Sequence, residues 1–543
     1  MIRKLVTLFL LLGLYVLLSV FALELGLRLF AKVPPTAAPG FFWRTPDPLT
    51  GWSLQPNTSG RWYNAMYEFD VEVHVNELGL RAPDSVGYAK SPDVYRILVL
   101  GDSFVEAVQV SFEQTFGQQL AELLNDAGAS IQEDVRRIEV INVGTGGWGN
   151  DQQLLWLRHE GHKYSPDLVI LAFFPANDYM NNYMPLEFAN QQAIRKPWFE
   201  WAEGQLLLHD FPFDPEKTEP GRQRMRELAA PGFAVSTAET TVNPGALQGL
   251  GEWLHQSSAL HRYLDPRLRA ASPNFASWLA TTGLIEAGRE TADRAQGSEY
   301  IPVAYGIYAD PLPSPWPEAL VTTRALLDEF KQETSQLGIP LRGLLIPAAE
   351  ELLPGMWAQL LNTYPAMRMQ TWSIAQPAEQ TKALFADAGI PLLDLAPMFR
   401  QQLADGNALF LYEDRHFTPA GHTVAAYHLA LWLVQDPTAA LFSASAVPNV
   451  LPVAWGHLVW RGVGWTVLAL LGISLVWSVY RNGPLNWWRN TGLMLGTAGE
   501  LLLFFVRRQN FVLLPLVIIL LLFGGLLVVA QASVVGPFIY TLF

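Results

Sequence analysis

A short apolar run that ends in a serine turn limits the folds that this sequence can adopt. The run covers Arg96 to Leu100, and Gly101, Asp102 and Ser103 follow it directly. Short apolar runs bounded by turn residues are typical of buried strands. Open α/β sheets hold their chemistry at the carboxyl ends of such strands. The sequence therefore predicts a serine hydroxyl at the carboxyl edge of a buried sheet.

From residue 95 onward, apolar strand signals alternate with helical patterns. The alternation predicts an α/β fold, a three-layer sandwich around a mostly parallel sheet of five strands. The predicted strands are Arg96–Leu100, Ile138–Ile141, Leu168–Phe174, Leu341–Ile346 and Pro391–Leu395. Apolar residues at helical spacing cover Phe112–Asn125, Val321–Gln336 and Pro419–Val434.

Changes in composition divide the 543 residues into four predicted parts. Residues 1–31 form a membrane anchor, and residues 32–92 form a tether, Pro34 to Pro56, and an extension with a strand at Glu68–Val75. Residues 93–445 form the α/β domain, and residues 446–543 form a C-terminal membrane region. An insertion rich in Trp, Phe and Pro interrupts the domain at about 185–313. We expect it over the carboxyl edge of the sheet, as a lid, a partner surface or a structural extension.

The N-terminal anchor is predicted from an uncharged run. No residue from Leu5 to Leu23 is charged, and about 20 apolar residues are enough to span a membrane. Arg3 and Lys4 precede the run, which favours a cytoplasmic amino terminus. A signal peptide that is cut near Ala37 is the alternative, but the run is longer than the usual signal core.

The C-terminal region predicts two more spanning helices, Gly462–Val479 and Phe511–Phe543, because both runs lack charge. Leu493–Phe505 is shorter and carries a glutamate, which favours an interfacial helix. Between the two spans lie four arginines, Arg481, Arg489, Arg507 and Arg508. The positive-inside rule places that loop in the cytoplasm. The large domain and the carboxyl terminus are then expected in the bacterial periplasm.

Composition excludes several classes of function. The chain has no cysteine, so disulfides and thiolate metal sites are excluded. A formal net charge of −14 disfavours nucleic acid as a partner. The histidines show no paired ligand spacing, so we predict neither a metal nor a cofactor.

A candidate base and a candidate orienting acid elsewhere in the sequence predict nucleophilic catalysis at Ser103. A serine hydroxyl needs a base, and the base needs an orienting acid. Asp414 and His416 stand directly before a helix that begins at Thr418 and Pro419. We predict Ser103 as nucleophile, His416 as base and Asp414 as orienting acid, with Glu413 as the alternative acid.

An oxyanion intermediate also needs donors that are already in place. The backbone N–H of Ser103 is one candidate. Glycines follow the second predicted strand, where a backbone N–H can approach a substrate closely; we choose Gly147, with Gly144 as the alternative. Asn177 follows the third strand and offers a side-chain amide.

The serine turn Gly101–Phe104, a glycine after Asn142, the pair Asn177-Asp178 and the motif Asp414–His416, in this order, resemble the conserved motifs of the SGNH (GDSL-like) hydrolase superfamily. The resemblance implies a flavodoxin-like fold, the triad Ser103, Asp414 and His416, and an oxyanion hole of Ser103, Gly147 and Asn177. Two features differ from many members: only one residue separates the acid from the histidine, and Pro175 stands where a glycine is common. Membrane-anchored members resemble periplasmic polysaccharide O-acetyl esterases and acetyltransferases. The last ~60 residues resemble a small bacterial membrane-protein family of unknown function.

The resemblance implies a membrane-anchored periplasmic serine esterase or O-acyltransferase that acts on an ester of a cell-envelope glycan. Its partners would be the inner membrane, another multi-spanning membrane protein and the acylated substrate. The alternative is a catalytically silent scaffold or binding subunit of an inner-membrane complex, because a fold does not fix a function.

Overall fold

The computed structural model describes residues 17–451, apart from 18, 37–39, 129–136, 192, 229–244, 289–298, 437–441 and 443–446. The chain forms two compact units. The larger unit is Pro34–Gln256 with Leu264–Ala454, and the smaller unit is Met1–Val33, Ser257–Tyr263 and Trp455–Phe543. The predicted extension and the α/β domain therefore belong to the same unit.

Eleven strands lie in the described part of the chain. In chain order, β1 to β11, they are Arg44–Asp47, Gly51–Leu54, Thr58–Tyr63, Asp70–Val75, Val94–Gly101, Arg137–Gly144, Leu168–Phe173, Trp198–Ala202, Gln205–His209, Leu341–Leu345 and Leu392–Asp394.

Besides an N-terminal helix at residues 19–30, the described residues form fifteen α-helices. In chain order, α1 to α15, they are Ser103–Glu106, Phe116–Asp126, Asn150–His159, Asp178–Asn181, Met184–Gln191, Glu219–Leu228, Gln248–Ser257, Ala259–Ala271, Pro273–Thr282, Trp316–Gln336, Ala349–Leu352, Pro354–Thr363, Gln376–Asp387, Ala396–Ala404 and Pro419–Gln435. Short 3-10 helices are Phe112–Gln114, Gly161–Tyr164, Pro215–Lys217, Val303–Tyr308 and Pro365–Met369.

The main sheet has five parallel strands in the order β11-β10-β7-β5-β6. This confirms the predicted α/β fold with a five-stranded sheet. β5 is buried along its whole length, as expected for a strand covered on both faces. Its carboxyl end lies between those of β6 and β7, where Gly101 pairs with Gly144 and Leu100 with Leu171.

A hydrophobic core lies on each face of this sheet. Ile97 and Val99 of β5 pack on one face, with helices α2, α14 and α15. Leu98 and Leu100 pack on the other face, where Phe330 of α10 is fully buried. Alternate residues of a strand point to opposite faces, so one strand supplies both cores of the three-layer sandwich.

The segment predicted as a tether contains structure. β1 and β2 form an antiparallel hairpin in which Arg44 pairs with Leu54, and β3 and β4 form a second hairpin. Trp43, Leu54 and Val73 are buried in a small core of their own. Strands of four residues are too short to give a clear alternating pattern, so Pro and Gly dominate the signal of this segment.

The insertion folds as helices α5 to α9 with the hairpin β8–β9. Its base is fixed by the buried pair Lys196 and Asp151, whose Nζ and Oδ2 atoms are 2.7 Å apart. Lys196 also donates to the backbone oxygen of Asn181 at 2.7 Å. Burial raises the pKa of Asp151, and the Lys196 charge opposes this increase. Removing one partner of such a pair costs about 3–5 kcal/mol of folding free energy.

In the smaller unit, residues 19–30 are helical. Glu24 of this helix accepts hydrogen bonds from the backbone N–H groups of Ala259 and Leu260. No helix within the described residues has the length and hydropathy to cross a membrane. Most of the predicted span Leu5–Leu23 lies outside those residues, and so do both C-terminal spans and the interfacial helix.

Candidate active site

Ser103 lies at the turn between β5 and α1. Asp102 caps this turn, because its Oδ1 accepts the backbone N–H of Phe104 at 2.9 Å. Gly101 is required by space: a β-carbon there would lie 2.3 Å from the side chain of Val105. The sheet therefore presents the serine at its carboxyl edge, at the place predicted from the sequence.

The structure brings Ser103, His416 and Asp414 into one hydrogen-bonded chain. The Nε2 atom of His416 lies 2.7 Å from the Oγ of Ser103. The Nδ1 atom lies 2.6 Å from Oδ1 of Asp414. An ionised carboxylate can only accept, so Nδ1 carries the proton and Nε2 accepts from the serine hydroxyl. This is the arrangement by which a histidine serves as base to a serine nucleophile.

The surroundings of His416 set its proton affinity. Desolvation lowers the pKa of His416, but the hydrogen bond and charge of Asp414 more than offset it, so that the pKa is raised above the usual value. Asp102 adds a smaller increase. The imidazolium that forms when the serine loses its proton is therefore stabilised by charge.

Glu413, the alternative acid, has a different environment. Its backbone N–H donates to Oε1 of Glu68 at 2.9 Å. Burial, together with the charges of Glu68 and Asp414, raises the pKa of Glu413 to about 7. It is Asp414 that the structure places against the imidazole.

Asn177 lies beside the serine turn, as predicted from its place after β7. Its Nδ2 donates to Oδ2 of Asp102 at 2.9 Å. An amide nitrogen carries two N–H groups, and Asp102 engages one, which leaves the second for an oxyanion. Burial raises the pKa of Asp102 and, more strongly, that of Asp178, which Asp102 also faces.

The two glycine candidates have different surroundings. Gly144 is the last residue of β6, and a β-carbon there would lie 2.2 Å from the backbone nitrogen of Glu106, so its role is close packing. Gly147 lies in the following loop with φ +79°. Its neighbour Gly146 is adjacent to the nucleophile: a β-carbon on Gly146 would lie 3.4 Å from that of Ser103.

A cavity of about 340 Å³ opens at the triad. Its wall includes a segment of the insertion, Pro302 to Tyr308, as expected for an insertion over the sheet edge. Sequence reasoning did not identify the individual residues of this wall. The aromatic richness of the insertion was the available signal. The aromatic side chains of the wall are Phe104, Phe174, Tyr305, Tyr308 and Tyr364.

Arg415, between the acid and the base, also escaped prediction. It has φ +67°, a left-handed conformation that non-glycine residues rarely adopt. Its guanidinium forms an ion pair with Glu350 of α11. With Arg415 in this conformation, the side chains of Asp414 and His416 bond to each other, and Arg415 lines the cavity wall.

Two parts of the sequence match known protein families. Residues 306–449 match the family described as "SGNH hydrolase-like domain, acetyltransferase AlgX". Residues 495–543 match a family of unknown function, DUF5989. Both resemblances predicted from the sequence are thereby confirmed. No protein of curated function matches the sequence significantly.

Several solved structures are similar at low identity. One is LAE5, an alpha/beta hydrolase from the metagenome of Lake Arreo, Spain, with 12% identity, a TM-score of 0.28, and coverage of 64% of this chain and 95% of that one. A lipase/acylhydrolase from Enterococcus faecalis is 12% identical, with a TM-score of 0.25, and the match covers 62% of this chain and 95% of that one. A catalytic mutant of Axe2, an acetylxylan esterase from Geobacillus stearothermophilus, is 11% identical, with a TM-score of 0.26, and the match covers 64% of this chain and 95% of that one. At such identities, what those enzymes act on says nothing about the substrate of this chain.

Proposed function

We propose, from the SGNH hydrolase-like acetyltransferase domain that residues 306–449 match, that this chain is a serine esterase or O-acyltransferase. It acts on an ester, an O-acetyl group of a cell-envelope glycan, through an acyl-serine intermediate. The single observation that carries this proposal is the chain of hydrogen bonds from Ser103 through His416 to Asp414, at 2.7 and 2.6 Å.

The first half-reaction transfers the acyl group to the enzyme. The Oγ of Ser103 attacks the ester carbonyl carbon while Nε2 of His416 takes the hydroxyl proton. The resulting oxyanion is met by the free amide N–H of Asn177 and by the backbone N–H groups of Ser103 and Gly147. When the intermediate collapses, the C–O bond to the alcohol breaks, and the alcohol leaves with the proton from His416.

The second half-reaction releases the acyl group. His416 removes a proton from water or from a sugar hydroxyl, whose oxygen attacks the acyl carbon. The bond to Ser103 breaks and the serine recovers its proton from the imidazolium. An esterase and a transferase therefore share every catalytic residue and differ only in which acceptor reaches the cavity.

The site of action that we propose is the periplasmic face of a bacterial inner membrane. The support is in the sequence: uncharged runs near both termini, with Arg3 and Lys4 before the first and four arginines between the last two. Under the positive-inside rule these charges face the cytoplasm, which leaves the catalytic unit outside. A multi-spanning partner would deliver an acyl donor if the enzyme is a transferase.

The test is turnover of 4-nitrophenyl acetate by the full 543-residue chain in detergent, with and without a glycan acceptor. We expect acetate release that Ser103→Ala abolishes and that Ser91→Ala, a control at an exposed serine, leaves unchanged. A transferase would show acetyl groups on the acceptor by mass spectrometry. No turnover by the folded chain, with its membrane partners present, would favour the silent scaffold instead.

A further inference from the structure

The extension before the α/β core contacts the loop that carries the proposed glycine donor. The guanidinium of Arg44, on β1, donates from Nη1 to the backbone oxygen of Gly146 at 2.6 Å. The indole of Trp52, on β2, donates to the same oxygen at 3.2 Å. Two side chains of one hairpin therefore hold a single carbonyl next to Ser103.

That carbonyl belongs to the same peptide unit as the N–H of Gly147. In a trans peptide the C=O and N–H groups point in opposite directions. Fixing the oxygen of Gly146 therefore fixes the direction of the Gly147 N–H, away from the hairpin. A charged donor on the oxygen also makes a stronger bond than a neutral one and polarises the peptide, which strengthens its N–H as a donor.

Glu106 fixes the preceding N–H of the loop. Its Oε2 accepts the backbone N–H of Gly146 at 2.6 Å and a bond from Arg44 at 3.0 Å. Its Oε1 accepts the indole N–H of Trp43 at 2.6 Å. The carboxylate is buried, with a side-chain exposure of 1%. Because Glu106 engages the Gly146 N–H, the next N–H in the loop, that of Gly147, is left as the candidate donor to an oxyanion.

The second hairpin of the extension contacts the loop that carries the base. Glu68, between β3 and β4, accepts the backbone N–H groups of Glu413 and Asp414 at 2.9 and 3.1 Å. Asn64 holds Glu68 in place, because its Nδ2 donates to Glu68 at 2.8 Å and its Oδ1 accepts the Glu68 N–H at 2.9 Å. The backbone N–H of the orienting acid is therefore anchored by a residue 346 positions away in the sequence.

We propose that this extension is a positioning part of the active site: Arg44 and Trp52 orient the Gly147 N–H donor, and Glu68 fixes the Asp414–His416 loop. The inference rests on the proposed function, since it assigns these contacts to an oxyanion hole and a base. A hairpin that only covered the core would pack side chain against side chain. These side chains instead bind backbone atoms of the two loops that flank the nucleophile.

The experiment compares the positioning residues Arg44, Trp52 and Glu68, here called the clamp, with two control residues on the second hairpin, β3–β4. The clamp variants are Arg44→Ala, Trp52→Phe, Glu68→Ala and Glu68→Gln, and the controls are Arg61→Ala and Glu72→Ala, both at exposed residues. The readouts are kcat and KM for 4-nitrophenyl acetate, the melting temperature, and hydrogen exchange in peptides that cover residues 144–150 and 411–418. Trp52→Phe and Glu68→Gln keep most of the packing and serve where an alanine variant does not fold.

We expect kcat to fall about 10–100-fold in the clamp variants, the range for misplaced catalytic groups, with KM changed less than about twofold. Exchange should accelerate at 411–418 in the Glu68 variants and at 144–150 in the Arg44 variant. Unchanged kcat in folded clamp variants, or an equal loss in the controls, would overturn the proposal, as would unchanged exchange at both loops. If the wild-type chain turns over no ester, the proposed function fails, and the exchange data alone decide whether the clamp exists.

Discussion

The two loops that form the triad are held in different ways. The serine turn is held mainly by near neighbours: Asp102 caps it and β5 lies directly before it, while the distant Asn177 adds one bond to Asp102. The base loop is held by distant residues, Glu68 and Glu350. Nucleophile placement is thus mainly a local property of the sequence, whereas base placement depends on the whole folded unit.

The largest effect should come from removing either end of the chain of hydrogen bonds. Ser103→Ala and His416→Ala should each lower kcat/KM by at least about 10³-fold, and the double variant should be no worse than either one. The two loops would then act as one unit despite their different supports. Initial rates with 4-nitrophenyl acetate measure this, with His428→Ala, a helix residue outside the site, as control. If the kcat/KM losses of the two single variants multiply in the double variant, Ser103 and His416 act independently and the prediction is wrong.

The next effect sharpens the assignment within the base loop. Asp414→Asn should reduce kcat by about 10⁴-fold, as loss of the orienting carboxylate does in serine enzymes. Glu413→Gln should change it by less than about tenfold, because the Glu413 side chain does not orient the imidazole. Steady-state kinetics of both variants at one pH provide the comparison. The reverse ranking would transfer the orienting role to Glu413.

A smaller loss is expected on the side of the serine turn. Asn177→Ala should lower kcat by about 10²–10³-fold, the usual effect of losing one oxyanion donor. The exposed Asn362 provides a matched control, Asn362→Ala. An unchanged kcat in a folded Asn177→Ala protein would exclude this amide from the oxyanion hole.

The mildest test uses pH instead of mutation. The base must be neutral to take the serine proton, so activity is present above the pKa of His416 and is lost as pH falls through it. Because Asp414 raises that pKa, kcat/KM should reach half its plateau at a pH above the 6.5 usual for histidine. A pH–rate profile measures the midpoint. A midpoint below 6.5 would mean that Asp414 does not stabilise the charged imidazole as the structure indicates.

The features that could be predicted from the sequence are those with local signals, such as the serine turn. The five strands of the sheet and the turn at Ser103 follow from local patterns, and the Asp414–His416 pair precedes a helix start that Thr418 and Pro419 mark. Each of these signals lies within about ten residues of the feature it predicts.

The supports of the base loop had no such signal. Glu68 and Glu350 contact this loop only after the chain has folded, across 346 and 65 residues. The sequence predicts a tether where the hairpin of Arg44 lies, because strands of only four residues give no clear alternating pattern. Contacts between distant segments produce no periodic pattern in a single sequence, so the roles of these residues could be identified only from the structure.

Whether His416 activates Ser103 as a nucleophile is tested by labelling the full chain with a fluorophosphonate and measuring the intact mass of the wild type and of Ser103→Ala. The reagent phosphonylates a serine whose base removes its proton. We expect a single adduct on the wild type, located at Ser103, and no adduct on the variant. A folded wild-type chain without an adduct, or an adduct that persists in Ser103→Ala, would contradict it.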